Sequence, residues 1–576
     1  MTEQILFIIS LLLTFAVFSF TSFRLFRFFK LTKKFHIGQW GKRILMMLGV
    51  AIGQTKIFRW PLLGFMHALV FWGFCFIVLG SIEMVIDGVF GLDKSLAFLG
   101  IFYDILMASV DIFAYLVLIS ILLFLIRRIF LHVKRFYGIE MQHKSHRDAN
   151  FSLTMILLLM VSLIGMNYFY YAIEQPGEVV GYYPATELLY SFFAMPVSIE
   201  MFDYLKICWW SHILLIFIFA NYLPYSKHFH VFMSVPNVFL SRLEPLGKLY
   251  NMENVTREVK IMMDPQQAFA AAPENAAAPE RFGVKDAEDV TWKNYLDSLT
   301  CTECGRCTSV CPANTTGKKL SPRKIFIDLR ARMKEKGPGM VKNGKEFSDN
   351  KFFIRDYISE EELWACTTCN ACAQECPVNI NHPSLIVDMR RYLVMEEGSA
   401  PGGLKSVFSN IENNGAPWQY SQQDRMLWTD DLNINVNGET KALKIPLLSE
   451  LFAQNKTPEY LWWVGSAGAY DDRYKKVSKS FARILTQAGV NFAVLGTEEI
   501  STADAARRAG NEMLYQMQSL MIIDMLKNYG VKKILTCDPH AYNTFKNEYP
   551  DLDGNFEVVH STQLLKELID KGKLKA

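Results

Sequence analysis

The sequence predicts a multidomain chain: a five-helix transmembrane bundle, then a helical domain built around two cysteine runs, then an α/β parallel-sheet domain. Three observations carry that prediction. Five long apolar stretches crowd the first 225 residues, eight of the eleven cysteines fall in two tight runs, and short apolar strands alternate with amphipathic helices beyond residue 446. At 576 residues the chain exceeds a single core. Half of it is hydrophobic and 14% is aromatic, which is too apolar for a purely soluble protein. A net charge of only +3 excludes a strong polyanion such as nucleic acid as the partner implied by composition. The expected boundaries are 1–250 for the bundle, 251–290 for a linker, 291–400 for the cysteine domain, 401–445 for an irregular connection and 446–576 for the α/β domain.

The apolar stretches, 5–29, 61–86, 105–126, 151–173 and 205–224, each approach the roughly 20 residues that a bilayer requires. The first begins without a basic leader or a small-residue cleavage site, so it is expected to be a retained helix rather than a signal peptide. The segments 24–43 and 127–147 are basic, whereas 87–104 and 174–203 are acidic or nearly neutral. The positive-inside rule then puts the amino terminus outside and everything after Tyr225 in the cytoplasm.

Histidines inside such helices are costly and so point to function, with haem ligation the obvious role in an electron-transfer setting. His67 lies in "GFMHALVFWGFCFIVLG", His212 in "WWSHILLIFIFANY", and His228 and His230 close the last span. His67 is seven residues from Trp60 at the cytoplasmic end, about 10 Å along a helix. His212 is 16 residues from His228, about 24 Å if the helix runs on past Pro224. Depth therefore pairs His67 with the His228/His230 end and leaves His212 without an evident partner. His36, His132, His143 and His146, in basic loops, read as solvated, and the lone Cys75 and Cys208 as packing residues.

Five spans, an outside amino terminus and histidines on the second and fifth helices resemble the gamma subunit of respiratory nitrate reductase and related cytochrome b membrane anchors. The resemblance implies one or two b-type haems and exchange of electrons with quinone as substrate. The second span departs from the two-haem pattern, carrying one histidine where two are expected.

"CTECGRCTSVCP" and "CTTCNACAQECP" are each C-x2-C-x2-C-x3-C-P, the bacterial run for a cubane [4Fe–4S] cluster. Three thiolates two residues apart wrap one cube, and the fourth, beside Pro, reaches the other. One cluster is therefore expected on Cys301, Cys304, Cys307 and Cys376, and the second on Cys366, Cys369, Cys372 and Cys311. Zinc needs neither the third cysteine nor the proline. Clustered cysteines also argue for a reducing compartment. Each run is followed by a helix with Pro in its first turn, at Ser321 and at His382, so the segment reads as an internally repeated, helical dicluster ferredoxin domain. Residues 264–280, rich in Ala and Pro, read as a linker. The stretch "CTECGRCTSVCPANTTGKKLSPRKIFIDLR", with "TWKNYLDSL" before it and "CTTCNACAQECPVNI" after it, closely resembles heterodisulfide-reductase-like iron–sulfur oxidoreductases.

In the last domain "YLWWVG", "NFAVLG", "KKILTC" and "FEVVH" read as strands of a parallel sheet with helices between them, including one long helix over "ADAARRAGNEMLYQMQSLMIIDMLKNYG". "VGSAGAYDDRYKKV", "GTEEISTADAARRAGNE" and "PHAYNTFKNEYP" resemble one cysteine-rich CCG module of the heterodisulfide reductase catalytic subunit. The resemblance implies cluster-ligating cysteines where this chain has Ser466, Ser501, Asp538 and Ala541, so the module is degenerate. Cys537, one position before the first cysteine of a pair in those relatives, reads as a packed, lone thiol. "GSAGAYDD" lacks the spacing of a dinucleotide turn.

The resulting expectation is a multi-pass electron-transfer subunit in the cytoplasmic membrane of a prokaryote. It would join a cytoplasmic redox partner to menaquinone or ubiquinone through two cubanes and haem b, without a catalytic residue of its own. The partner expected is a subunit carrying complete CCG modules, because the chain stops before a second copy, or a flavoprotein. The rivals are a non-redox docking platform with structural clusters and an autonomous heterodisulfide or thiol reductase.

Overall fold

The computed structural model describes residues 2–141, 143–174, 179–264, 281–436 and 438–575. Apart from residue 264, the expected Ala/Pro linker lies outside them. The chain divides into two units: Met1–Leu243 with Asp286–Thr367 and Ala371–His382, and Glu244–Lys285 with Thr368–Asn370 and Pro383–Ala576.

The first unit opens with five helices long and apolar enough to cross a membrane: α1 (Thr2–Arg27), α2 (Pro61–Phe90), α3 (Ile101–Phe130), α4 (His143–Glu174) and α5 (Ile199–Tyr222). Local chemistry sets their ends. Pro61 starts α2 where no intrahelical N–H is needed, and Gly91, at φ +67°, closes it with its N–H on the Asp87 carbonyl. Small residues let the helices approach: a Cβ on Gly73 would lie 2.5 Å from Val117, and one on Gly165 would lie 2.9 Å from the Cys208 sulfur. Large apolar side chains such as Leu12, Phe20 and Phe102 stay exposed, as lipid-facing positions do. The fully buried Asp111 is satisfied by Thr186 Oγ1 at 2.6 Å and by the backbone N–H groups of Ala185 and Thr186.

Helix α5 does not run past Pro224. It ends at Tyr222, two short 3-10 turns follow, and α6 (His230–Phe239) begins a new direction. Proline breaks the ladder, and Asp148 holds the bend by accepting from Tyr222 Oη at 2.6 Å and from the Lys227 N–H at 3.1 Å. The 24 Å spacing of His212 and His228 along one helix therefore does not apply.

The iron–sulfur region of this unit is helical: α7 (Trp292–Thr300), α8 (Arg306–Ser309), α9 (Pro322–Asn343) and α10 (Ala371–Glu375). Helix α7 starts on a Thr291/Asn294 capping box and packs on α6. There Lys293 Nζ donates to Asp297 at 2.6 Å and to Asn237 at 3.0 Å. Helix α8 packs against α10, which brings the two cysteine runs side by side.

The second unit contains the hairpin β1 (Asn433–Val436) and β2 (Glu439–Ala442) and a parallel sheet of β3 (Tyr460–Trp463), β4 (Phe492–Ala493), β5 (Lys533–Thr536) and β6 (Glu557–His560), in the order β4-β3-β5-β6. Both faces are covered. Leu461, Trp463 and Ile534 enter one core, while Tyr460, Trp462 and Leu535 enter the other, as period-two alternation requires. Two expectations change here. Part of the connection read as irregular is a helix, Gly402–Asn414, whose Leu404, Val407, Phe408 and Ile411 recur at helical spacing. The long helix over 503–530 is two, Asp504–Arg508 and Glu512–Asn528. Gly510 turns between them at φ +95°, and the Asn511 side chain caps the second.

Candidate metal centres

The backbone repeats itself at the two cysteine runs. Glu303 and Gly305 in the first, and Thr368 and Asn370 in the second, all take positive φ, which turns the chain tightly enough to aim successive thiols at one point. At Gly305 glycine is required twice over, because a Cβ there would lie 2.6 Å from the Arg135 carbonyl and 2.7 Å from Arg323 Nη1.

Cys301, Cys304, Cys307 and Cys376 line a single pocket. Burial pushes the Cys301 thiol up to about 11 and the Cys376 thiol up to about 12, and it raises Cys307 well above the ordinary thiol value. Thiols so buried become thiolates only when a cationic group takes them as ligands. The Ile380 N–H points at Cys376 Sγ at 3.4 Å, a contact of the kind that tunes cluster potential. Among the described residues no three His, Cys, Asp or Glu side chains close on an ion-sized point, so this pocket is not drawn onto a single metal ion. Of the other expected set, Cys311 and Cys372 are buried, Cys366 is half-buried and Cys369 is exposed.

Two connections of the bundle, the one before α2 and the one between α3 and α4, contact residues at the first pocket. Lys56 Nζ donates to the Cys376 carbonyl at 3.2 Å, and Arg306, beside Cys307, donates to the Lys56 carbonyl at 2.9 Å. Trp60 Nε1 donates to Glu375 at 3.2 Å while the guanidinium groups of Arg135 and Arg306 lie over its ring at 4.7 and 5.6 Å. Arg323 and Glu140 form a buried pair at 2.6 Å. Glu303, between the first two cysteines, accepts from Ser145, Arg330 and Lys227. Burial opposes its ionisation, but Arg330 and Lys227 hold the carboxyl down at about 2. The Arg306 within "CGRC" was the one available signal for this contact.

His67 lies within electrostatic reach of His230 and Arg306, and the His228 and His230 rings stand 5.7 Å apart. The structure therefore brings together the histidines that depth had paired. His230 Nδ1 lies 3.2 Å from the Lys227 carbonyl, and burial keeps both His228 and His230 neutral, the form that binds a metal. His212 stands apart in α5. Its Nδ1 meets the Leu159 carbonyl and Ser162 Oγ at 3.0 Å each, and its Nε2 is buried without a partner, as is Nδ1 of His67. A buried imidazole nitrogen without a partner is free to take a metal or a hydrogen-bond donor. His132 stacks on Tyr137 in its loop, and Cys75 is a half-buried thiol. His382 was noticed only as a helix start, yet its buried ring lines the first pocket against Phe326.

Ser466, Ser501, Asp538 and Ala541 follow the carboxyl ends of the parallel strands, where such sheets bind ligands: Ser466 and Ala541 in short helices, Ser501 and Asp538 in the turns before helices. A buried ion pair fills that edge. Glu499 accepts from the N–H groups of Val464 and Gly465 and from Arg425 Nη2, all at 2.9 Å, and Arg425 reaches Ser466 Oγ at 3.5 Å. Asp538 caps the next short helix through the His540 N–H. Cys537 packs into the core behind the sheet, where burial pushes its thiol up to about 11.

Residues 300–380 match the family model described as a 4Fe-4S dicluster domain. The whole chain is similar to a probable iron-sulfur-binding oxidoreductase, FadF, of Bacillus subtilis, at 33% identity over 95% of this chain and 76% of the relative. It is similar to the EtfAB:quinone oxidoreductase of Syntrophomonas wolfei at 32% identity, over 93% of this chain and 73% of the relative. The chain belongs to this family of iron–sulfur oxidoreductases. A family member of this kind carries its 4Fe–4S dicluster domain on five membrane-capable helices, so it is a membrane protein with an electron-transfer role. Half of the chain is also similar, at 27% identity, to 68% of one component of the dihydromethanophenazine:CoB–CoM heterodisulfide reductase from Methanosarcina barkeri. No solved structure gives a significant match.

Proposed function

We propose that this chain conducts electrons between a redox partner on the cytoplasmic side of a prokaryotic membrane and the quinone pool, through two cubane clusters and haem b. The observation that carries the reading is the contact of the first cysteine pocket with Lys56, Trp60 and Arg306, together with the nearness of Arg306 and of His230 to His67. Cys301, Cys304, Cys307 and Cys376 hold one cluster, and Cys366, Cys369, Cys372 and Cys311 hold the other. His67 and His230 hold the haem, with the Lys227 carbonyl fixing the His230 ring. The cofactors supply one-electron chemistry. The protein's own residues exclude water, set distance and place cations beside the path. The name of the Syntrophomonas wolfei relative makes EtfAB the first donor to test, with a subunit bearing complete CCG modules as the alternative.

The emptied edge of the second unit argues against an autonomous disulfide reductase, because an ion pair stands where a third cluster would need room. A non-redox platform gives no role to orphaned histidine nitrogens inside the bundle. Iron and haem analysis of the purified chain tests the reading. About eight non-haem irons and a reduced b-type spectrum are expected, whereas about twelve irons would mean a third cluster. Cys376→Ser should remove the same paramagnetic signal as Cys301→Ser, and Cys311→Ser the same one as Cys369→Ser. Loss of the same signal in all four would refute the crossed ligation.

A further inference from the structure

A cavity of about 480 Å3 opens at the end of the bundle opposite the iron–sulfur helices. It lies among the start of α1, the last turns of α2 and α4 and the first turns of α5, and its size falls within the range of small-molecule sites, about 300–1,000 Å3. One wall is apolar and aromatic: Phe7, Met84, Leu163, Met166, Trp209 and Trp210. The Phe7 ring lies 5.7 Å from Trp209 and 6.4 Å from Trp210. Buried polar groups converge on the other side. His212, 1% exposed, also lines the cavity, and its Nε2 is an acceptor without a partner when Nδ1–H donates to the Leu159 carbonyl. Glu83, 4% exposed, accepts from Tyr103 Oη at 3.1 Å and from the Leu96 N–H at 3.0 Å, which leaves carboxylate lone pairs unused. Beside it Lys94 Nζ donates to Tyr183 Oη at 2.8 Å and lies 4.3 Å from the centre of the Tyr170 ring.

The geometry points to this cavity as the quinone site, an inference that rests on the proposed function and adds where its substrate binds. A flat ring with two oxygens matches an aromatic wall facing two separate proton acceptors. A second haem is the poorer occupant. Among the described residues His212 is the only histidine in the lining, so the bis-histidine ligation proposed for the other end has no counterpart here. A haem would also set its anionic propionates against the Glu83 carboxylate. In the oxidative direction one quinol hydroxyl gives its proton to His212 Nε2 and the other gives its proton to Glu83. Two electrons leave singly to two oxidised one-electron centres of the chain, and both C–O bonds become C=O. Reduction runs the same steps in reverse, the electrons coming from the reduced clusters and haem. Asp87 and Glu174 are also in the lining and offer further carboxylates for proton exchange. Electrons and protons therefore reach the quinone from opposite ends of the bundle.

The test uses the full chain in lipid vesicles, reduced with dithionite, desalted and mixed with a short-tailed naphthoquinone, together with photolabelling by an azidoquinone. The label should fall on residues 80–94 or 163–212. His212→Gln and Glu83→Gln should each slow re-oxidation by about 100-fold or more, with haem spectrum and iron content unchanged. Labelling elsewhere, with both variants re-oxidised at the wild-type rate, overturns the site while wild-type turnover keeps the proposed function standing. Loss of haem absorbance in His212→Gln makes the cavity a haem site and overturns the assignment. Failure of the wild type to be re-oxidised removes the proposed function, and the site with it.

Discussion

Arg425 and Glu499, each 2% exposed at the side chain, meet at 2.9 Å at the carboxyl edge of the sheet, and the pair explains how a module without cluster ligands still closes there. Removing one partner strands the other charge in a low-dielectric site, which typically costs about 3–5 kcal/mol. Glu499→Ala should therefore lower the melting temperature of the second unit and leave iron content at the wild-type level. A fall in iron would mean that this edge does carry a cluster. In the first unit Arg332 donates to both oxygens of Asp349, and this pairing holds the Asp349 carboxyl down at about 2. A carboxyl lowered on folding stabilises above its unfolded value, near 3.8, and that contribution disappears as pH falls through about 2. Asp349→Asn should thus show a smaller drop in melting temperature between pH 5 and pH 3 than the wild type, followed by far-ultraviolet circular dichroism. An equal drop would show that the pair contributes nothing to acid sensitivity. The dicluster domain was legible because the two C-x2-C-x2-C-x3-C-P runs carry cluster spacing in the sequence itself. Trp60, Arg135 and Arg323 were not, since their partners lie far away in the chain.

Helix existence was legible where apolar length or period was strong, and helix ends were legible where punctuation was read. Pro224 shows the difference: the apolar pattern runs through it, yet the missing N–H and the Asp148 contacts turn the chain. Gly510 and Asn511 carry a stop and a cap inside a sequence otherwise rich in helix formers. The basic loops had a second role that charge counting cannot show. Lys56 donates to the Cys376 carbonyl and the Arg135 carbonyl accepts from Arg323, so both connections bond to residues of the first pocket, and Gly305 leaves room for the Arg135 backbone. Gly305→Ala combines a positive φ with a clash against the Arg135 backbone, strain worth about 1–3 kcal/mol. Its expected outcome is loss of the cluster of the first run, with iron falling from about eight to about four per chain. Asn370→Gly, at the equivalent turn, should keep both. Full iron content in Gly305→Ala would show that the loop is free to move aside.

At the scale of the molecule, a dicluster domain and membrane-capable helices share one unit, joined at the first cysteine pocket by Lys56, Trp60 and Arg306. Function is legible in such a chain to the extent that cofactors impose spacing. The [4Fe–4S] run imposes it in sequence, whereas paired histidines on separate helices impose it only in space: helical depth pairs His67 with the His228/His230 end, and the fold adds that His67 interacts with His230. The cavity at the other end of the bundle left no sequence signal beyond polar residues near helix ends. The central claim is that electrons pass through the whole set, and single-turnover spectroscopy tests it most directly. Oxidised full-length protein in vesicles is mixed with a short-tailed quinol, and the haem band and the iron–sulfur absorbance are followed together. Both should change within one turnover, and His67→Ala should abolish the haem signal and slow cluster reduction. Cluster reduction at the wild-type rate in His67→Ala, or no reduction of either cofactor in the wild type, would contradict the claim.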